Sequence, residues 1–426
     1  MMYSMEEHQK QRKRFYGAMS DFWADLYGTE YALLDYYTLT AREVEQIRTA
    51  TNRIGHLYRK TARLLRQLPD ETLQLLGFHP EALPFLRISV LSAETVIARA
   101  DLVHVGGTFK LIELNADTPT FIRETFDINE HAASFFRLAS PNKGAVKTVT
   151  EAIQHAIWQS YRLLRRDGEP YVVFTSHDDH MEDKETVRYL QRISGIEAAY
   201  VPLHELYIVS EDIRLHGGGV LRRGLYDAEG RRIDVLYRQT YPLEHLVEDR
   251  SADGTKVGVQ LLELWKKREV ALINPPSAFL LQSKAVQALI WGLYEEGNPF
   301  FTEEESQWIA EHFLPTYLDE EYFLTKRTMY VQKPAFGREG DTVVIKNGNG
   351  EPIAFDSQQT YKDETPVYQQ YVPLPETVVK TVNGYETVKL LHTCFLINGK
   401  AVGIGLRAGG MITNNLSYYL PVMMKG

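Results

Sequence analysis

ARADLVHVGGTFKLIELNADTPT, residues 98–120, reads as a β-hairpin. Residues 97–103 form one predicted strand, Gly106-Gly107 supplies a tight turn, and residues 109–113 return. Arg99 and Asp101 are two apart and share one face of their strand. Glu113 and Asn115 do the same where the second strand ends. The turn folds the two pairs toward each other. Two carboxylates, an amide oxygen and a guanidinium then converge at one end of a sheet. Oxygens of this kind suit Mg²⁺, which takes a few carboxylates and leaves room for substrate phosphates. The arginine then has the phosphates as partners. Taken alone, an Asp/Glu pair is also what the solvent face of an amphipathic hairpin carries. The tail Asn115-Ala116-Asp117-Thr118-Pro119-Thr120 departs from that pattern, because polar groups and a proline directly after an apolar strand suit a site loop.

Outward from the hairpin, 426 residues exceed one small core, and two or three lobes are expected. The apolar share of 44% and charged share of 24% are those of an ordinary globular protein. A formal net charge of −9 argues against a nucleic-acid partner, which demands a basic footprint. Local basic patches still suit an anionic ligand such as ATP. Cys394 is the single cysteine, so no intramolecular disulfide forms, which fits a reducing cytoplasm. The N-terminal stretch is polar, and no run approaches the ~20 apolar residues of a membrane span. A cytoplasmic protein with no membrane partner is expected.

Residues 42–65 carry apolar side chains at helical spacing, with Thr40 or Thr38 as cap. Residues 124–136 and 145–166 are also helical. A strand at 171–175, a helix at 185–193 closed by Gly195 and a strand at 198–203 predict a parallel βαβ unit. Further strands are expected at 219–222 and 233–238, and helices at 261–267 and 283–294. From about residue 330 the chain turns to strands, at 329–333, 342–345, 367–372, 387–397 and 401–407. The class is α/β (α+β).

Several segments carry chemistry. The strand ending in Lys333-Pro334 runs into a loop bracketed by Gly337 and Gly340, which lets backbone N–H groups approach phosphate; an ordinary turn reads equally well. Lys284 follows Ser283 at a predicted helix start, where the dipole disfavours a lysine unless a phosphate is present. Residues 367–375 form a strand with a proline-rich exit, an edge that can face a purine. Arg407 ends the last long strand. Cys394 lies in an apolar strand and reads as a buried thiol. His177-Asp178-Asp179-His180 has metal-binding residue types but reads better as a solvated loop. Glu303-Glu304-Glu305 reads as a helix N-terminus.

In order, these segments resemble the synthetase domain of glutathionylspermidine synthase, over about residues 21–420. The marks are Arg99-x-Asp101, Glu113-x-Asn115-Ala116-Asp117, Tyr241-Pro242-x-Glu244 and Ser283-Lys284-Ala285. They continue with Lys333-Pro334-x-Phe336-Gly337-Arg338-Glu339-Gly340, the 370–375 segment and Gly403-Ile404-Gly405-Leu406-Arg407. The resemblance implies an ATP-grasp fold in three parts: a helical segment over 1–85, the metal-binding hairpin with a pre-ATP-grasp-like α/β lobe over 86–275, and ATP-grasp lobes with a glycine lid over 276–426. It implies that Asp101, Glu113 and Asn115 hold Mg²⁺. ATP would meet Lys284, Lys333, Gly337, Arg338, Gly340, Tyr368, Gln369, Gln370, Tyr371, Ile412 and Thr413. Arg99 and Arg407 would be catalytic, and Asp117, Thr118, Thr120 and Glu244 would face the substrate. The loop 336–340 would be a lid, with little apolar surface to anchor it before nucleotide binds.

The implied reaction joins a peptide or other carboxylate to a polyamine-like amine through an acyl phosphate. Two departures matter. An amidase half is not expected, and Ala408-Gly409-Gly410 stands where many relatives carry an acidic residue, which leaves the acceptor open. A catalytically silent nucleotide-binding module and a small-molecule kinase are the alternatives.

Overall fold

The computed structural model describes residues 5–239 and 242–425; Tyr241, one mark of the resemblance, lies outside the described residues. The predicted hairpin forms from Ile97–Val105 and Thr108–Asn115, paired antiparallel. Gly106 and Gly107 have φ of 60° and 79°, which a two-residue type I′ turn requires. Arg99 lies opposite Asn115, and Asp101 opposite Glu113. Beyond that point the register shifts. Leu102 faces Leu111, so Ile112 is an extra residue, a β-bulge. Phe109 and Leu111 point into the core, and strict alternation would send Glu113 there as well. The bulge reverses the phase. Leu114 takes the core position, and Glu113 and Asn115 turn to the opposite face.

The hairpin is the edge of a larger sheet. Ile97–Val105 pairs with Gly384–Ile397, which also pairs with Lys400–Gly409 and Glu376–Thr381; Tyr418–Tyr419 completes six strands. Strands from both sides of residue 276 thus share one sheet. The helix Ala41–Leu65 lies against it, burying Val44, Ile47, Ile54, Leu57 and Leu65. Thr40 starts it with a reciprocal capping box to Glu43. Segment 121–128 also lies on the strand Lys400–Gly409. A Cβ on Gly403 would sit 2.5 Å from the Phe126 ring, and one on Gly405 2.7 Å from that of Phe121, so only glycine allows this approach.

The predicted βαβ unit is present. Ala271–Ile273, Val235–Arg238, Val172–Thr175 and Ala198–Tyr200 form a parallel sheet in that order, and Met181–Ser194 is the crossover helix, closed by Gly195. The helix begins four residues earlier than its apolar pattern indicated, because the run Met181-Glu182-Asp183-Lys184 is polar apart from Met181. A third sheet, antiparallel, runs Thr316–Tyr317, Pro366–Gln370, Tyr330–Pro334, Val344–Lys346, Pro352–Phe355. Small strands between 207 and 233 build a three-stranded and a two-stranded antiparallel sheet that the sequence pattern did not indicate, apart from the strands at Val220 and Ile233. Glu303 to Glu305 do open a helix, capped by Thr302. No helix among the described residues is long and apolar enough to cross a membrane.

Candidate active site

The three larger sheets surround one cavity of about 510 Å³. The six-stranded sheet contributes Arg99, Asp101, Glu113, Asn115 and Arg407. The five-stranded sheet contributes Val331, Lys333, Ile345 and Gln369. The loop leaving the parallel strand Val172–Thr175 contributes His177, Asp179 and His180, and the first turn of the helix Met181–Ser194 contributes Glu182 and Asp183. That last position is the carboxyl end of parallel strands, where open α/β sheets receive ligands.

At its centre the hairpin charges meet as their spacing predicted. Arg99 donates from Nε and Nη2 to Asp101 Oδ1 and Oδ2, at 2.7 and 2.9 Å. Its Nη1 reaches the Thr120 carbonyl at 3.0 Å and hydroxyl at 3.2 Å. Asn115 Nδ2 lies 3.4 Å from Asp101 Oδ2 and 3.2 Å from Glu113 Oε1. Lys284, the residue before the helix Ala285–Glu295, is 3.2 Å from Glu113 Oε2 and donates to the Gly337 carbonyl at 2.7 Å. Lys333 donates to Gln369 Oε1 at 2.7 Å and to the Ile112 carbonyl at 3.3 Å.

These neighbours set the protonation of the centre. Burial would raise Glu113, but Lys284, Lys333 and Arg99 outweigh it and hold the carboxyl at about 2. Burial pushes Asp101 upward, against the pull of Arg99, and Glu113 adds to that push. Burial lowers Lys333 to about 8 despite Glu113. Asp101, Glu113 and Asn115 are oxygen donors of the kind that could hold Mg²⁺, although here Arg99 and Lys284 occupy the two carboxylates. Asn115 sits between two carboxylate oxygens, and the opposite amide rotamer would offer an oxygen to the same point; which rotamer is present follows from whether a cation or only carboxylates need a partner. No cluster of three His, Cys, Asp or Glu exists among the described residues, so a cation held by Asp101, Glu113 and Asn115 would need further ligands from substrate and water.

Beyond the lysines the cavity continues as a slot lined by Val331, Ile345, Gln370, Tyr371, Val372, Leu374, Met411, Ile412 and Thr413. Tyr368 is not in it. Gln369 faces inward, so alternation turns Tyr368 to the other side of the strand, beside Tyr330. Arg407 lines the cavity and donates to the Asn414 carbonyl at 2.8 Å.

The loop after Pro334 is better anchored than its glycines indicated. Phe336 is buried, stacked on Phe279 at 4.6 Å and edge-on to Phe78 at 5.4 Å. Further on, Arg338 donates to the Thr118 carbonyl at 2.9 Å, Glu339 accepts from Asn415, and a Cβ on Gly340 would sit 2.7 Å from the Thr413 carbonyl. Gly337, Arg338 and Gly340 all line the cavity.

Of the four expected substrate-facing residues, Thr120 alone lines the cavity. Asp117 is sealed in an ion pair with Arg238 and accepts from the Leu243 N–H at 3.1 Å. Thr118 holds Arg338. Glu244 lies in a neighbouring groove with Glu248, Asp363 and Glu364, its carboxyl raised by burial to about 8.

The residues that sequence reasoning missed lie over 177–183: the loop His177 to His180, expected to be solvated, and Glu182 and Asp183 in the first turn of the helix that follows. Burial, with Glu124, Glu339 and Asp183 nearby, raises Glu182 to about 8, against the pull of Arg407. The available signal was position: an acid-rich segment directly after the first strand of a βαβ unit. Cys394 is buried, as expected, with burial raising its thiol to about 11.

Residues 4–425 match the family model described as "Glutathionylspermidine synthase preATP-grasp". The chain belongs to this family. A Haemophilus influenzae protein named "Putative acid--amine ligase" is 25% identical over 328 residues, which are 76% of this chain and 73% of that protein. Among solved structures, a glutathione synthetase-like effector from Globodera pallida has 12% sequence identity, with 98% of this chain and 96% of that one covered and a TM-score of 0.58. That likeness is one of fold. The fold is of the α/β, ATP-grasp type, as the resemblance implied.

Proposed function

We propose that this protein is an ATP-dependent acid–amine ligase that activates a carboxylate as an acyl phosphate and transfers the acyl group to an amine. The observation that carries the reading is the centre of the cavity. Arg99, Lys284 and Lys333 gather around two carboxylates there, in a cavity also lined by apolar side chains such as Val331, Ile345 and Leu374 and by the acids of 179–183.

In this reading adenine occupies the slot and the phosphates extend to Lys284 and Lys333. Asp101, Glu113 and Asn115 would hold Mg²⁺, which neutralises charge on the transferred phosphoryl group. A substrate carboxylate oxygen bonds to the γ-phosphorus as the bond to the β–γ bridging oxygen breaks, and ADP leaves. Arg99, fixed by Asp101 and Thr120, faces the charge that develops on the acyl phosphate. The amine nitrogen then bonds to the acyl carbon and the bond to phosphate oxygen breaks. An ammonium substrate sheds two protons in this step: the departing phosphate takes one, and a carboxylate of 179–183 the other. No protein nucleophile is required, so positioning and charge neutralisation do most of the work.

The acids of 179–183 support a cationic amine, and their several carboxylates support one with more than one amino group. Glutathione and spermidine are the first pair to test, followed by other acids and amines, with ADP release and product mass as readouts. Release that requires both acid and amine is expected. Release with acid alone would make the enzyme a kinase, and no release with any pair would make it a silent module.

A further inference from the structure

We propose that Gln287 is a positioning residue for Lys333, acting through Gln369 and the bulge carbonyl of Ile112. The inference rests on the nucleotide reading of the cavity, in which Lys333 meets phosphate.

Four buried or half-buried groups close a ring. Lys333 Nζ donates to Gln369 Oε1 at 2.7 Å and to the Ile112 carbonyl at 3.3 Å. Gln369 Nε2 donates to Gln287 Oε1 at 2.9 Å, and Gln287 Nε2 donates to the same Ile112 carbonyl at 3.3 Å. The chemistry leaves no choice of direction. An ammonium has only donors, so Gln369 must turn its oxygen to Lys333. Its nitrogen then faces Gln287, whose oxygen must receive it, and the Gln287 nitrogen is left for Ile112. Gln287 is 1% exposed, Gln369 2% and Lys333 7%, so water is a poor substitute for any of these partners. Two branches leave the ring, one from Gln369 Nε2 to the Thr316 hydroxyl at 3.3 Å and one from Gln287 to the buried Tyr58 hydroxyl.

The ring ties Lys333 to the metal hairpin. Ile112 is the residue that the bulge inserts, and such a residue stands outside the regular ladder, with its carbonyl available to side chains. The same irregularity turns Glu113 toward the cavity. A single backbone feature thus sets both a carboxylate of the metal site and the anchor of a lysine 221 positions away. Gln287, on the helix Ala285–Glu295, closes this link without lining the cavity.

The test uses AMP-PNP with Mg²⁺ and calorimetry. Gln287→Met keeps the length of the side chain and opens the ring. Affinity should fall about tenfold, the scale for a hydrogen bond that supports a charged group. In a Lys333→Met background the same substitution should cost nothing further, because the effect passes through the lysine. Thr316→Val removes only its own branch and should leave affinity unchanged. A second readout needs no nucleotide: acylation of Lys333 by an N-hydroxysuccinimide ester, followed by peptide mass. It should quicken several-fold in Gln287→Met and not in Thr316→Val. Equal losses of affinity in both backgrounds, or unchanged Lys333 labelling, would overturn the inference. A wild-type protein that binds no AMP-PNP while Lys333 labelling responds as described would sink the nucleotide reading and uphold the ring.

Discussion

Glu113 and Glu182 line the same cavity and titrate in opposite directions. Glu113 is buried among Lys284, Lys333 and Arg99 and stays charged down to about pH 2. Glu182 is shielded from water beside Glu124, Glu339 and Asp183 and holds its proton up to about pH 8. The hairpin side is balanced by the chain's own cations. On the loop side Arg407, Arg338 and His180 face the acids, yet Glu182 still holds its proton. Cations outweigh burial at Glu113, and burial outweighs them at Glu182.

The largest effect should come from the balanced side. Lys333→Met keeps the stem and deletes the charge, and ATP turnover should fall by at least about 10³ while circular dichroism stays that of the parent. Turnover that persists would remove Lys333 from the chemistry. Arg99→Lys retains charge but loses the two-point grip on Asp101 and the reach to Thr120. Turnover should drop roughly 10²–10³ with nucleotide affinity little changed. Affinity lost in proportion to rate would instead make Arg99 a nucleotide anchor.

Glu→Gln at the two positions sharpens the contrast, because the signs differ. The lowered pKa of Glu113 contributes stability above its unfolded value of 4.5, and that contribution is lost as pH falls toward about 2. Glu113→Gln should therefore lower Tm at pH 7, with the gap closing in acid. The raised pKa of Glu182 works the other way: stability present below 4.5 is lost as pH rises through about 8. Glu182→Gln should gain Tm over wild type at pH 8 and match it near pH 4. The same variant should raise KM for the amine about tenfold and leave KM for ATP unchanged. Shifts of the same sign in both variants would break the comparison. Smallest of all, Tyr368→Phe should leave turnover within about twofold, as expected of a side chain that faces away from the cavity.

The local rules in the sequence carried much of the architecture. Alternate spacing placed Arg99 with Asp101 and Glu113 with Asn115, and Gly106-Gly107 named the turn. The bulge was not legible, because Ile112 is apolar and fits either face of a strand, so a period of two passes over it. Gln369 in a buried strand position makes sense only once Lys333 and Gln287 arrive from elsewhere in the chain. Asp117 read as a site residue because nothing local reveals Arg238, 121 residues on. Phe336 read as part of a loose loop because its stacking partners, Phe78 and Phe279, are equally remote. The loop His177 to His180 read as solvated because exposure is a tertiary property. The misread residues share this cause: their partners lie far off in sequence.

The central claim is that a carboxylate is activated by phosphoryl transfer before an amine attacks. It is tested most directly with the acid that supports turnover, labelled with ¹⁸O in its carboxylate, in the presence of ATP and the amine. The account predicts one ¹⁸O transferred to inorganic phosphate for each amide formed. Unlabelled phosphate, or ADP release without amide, would contradict it.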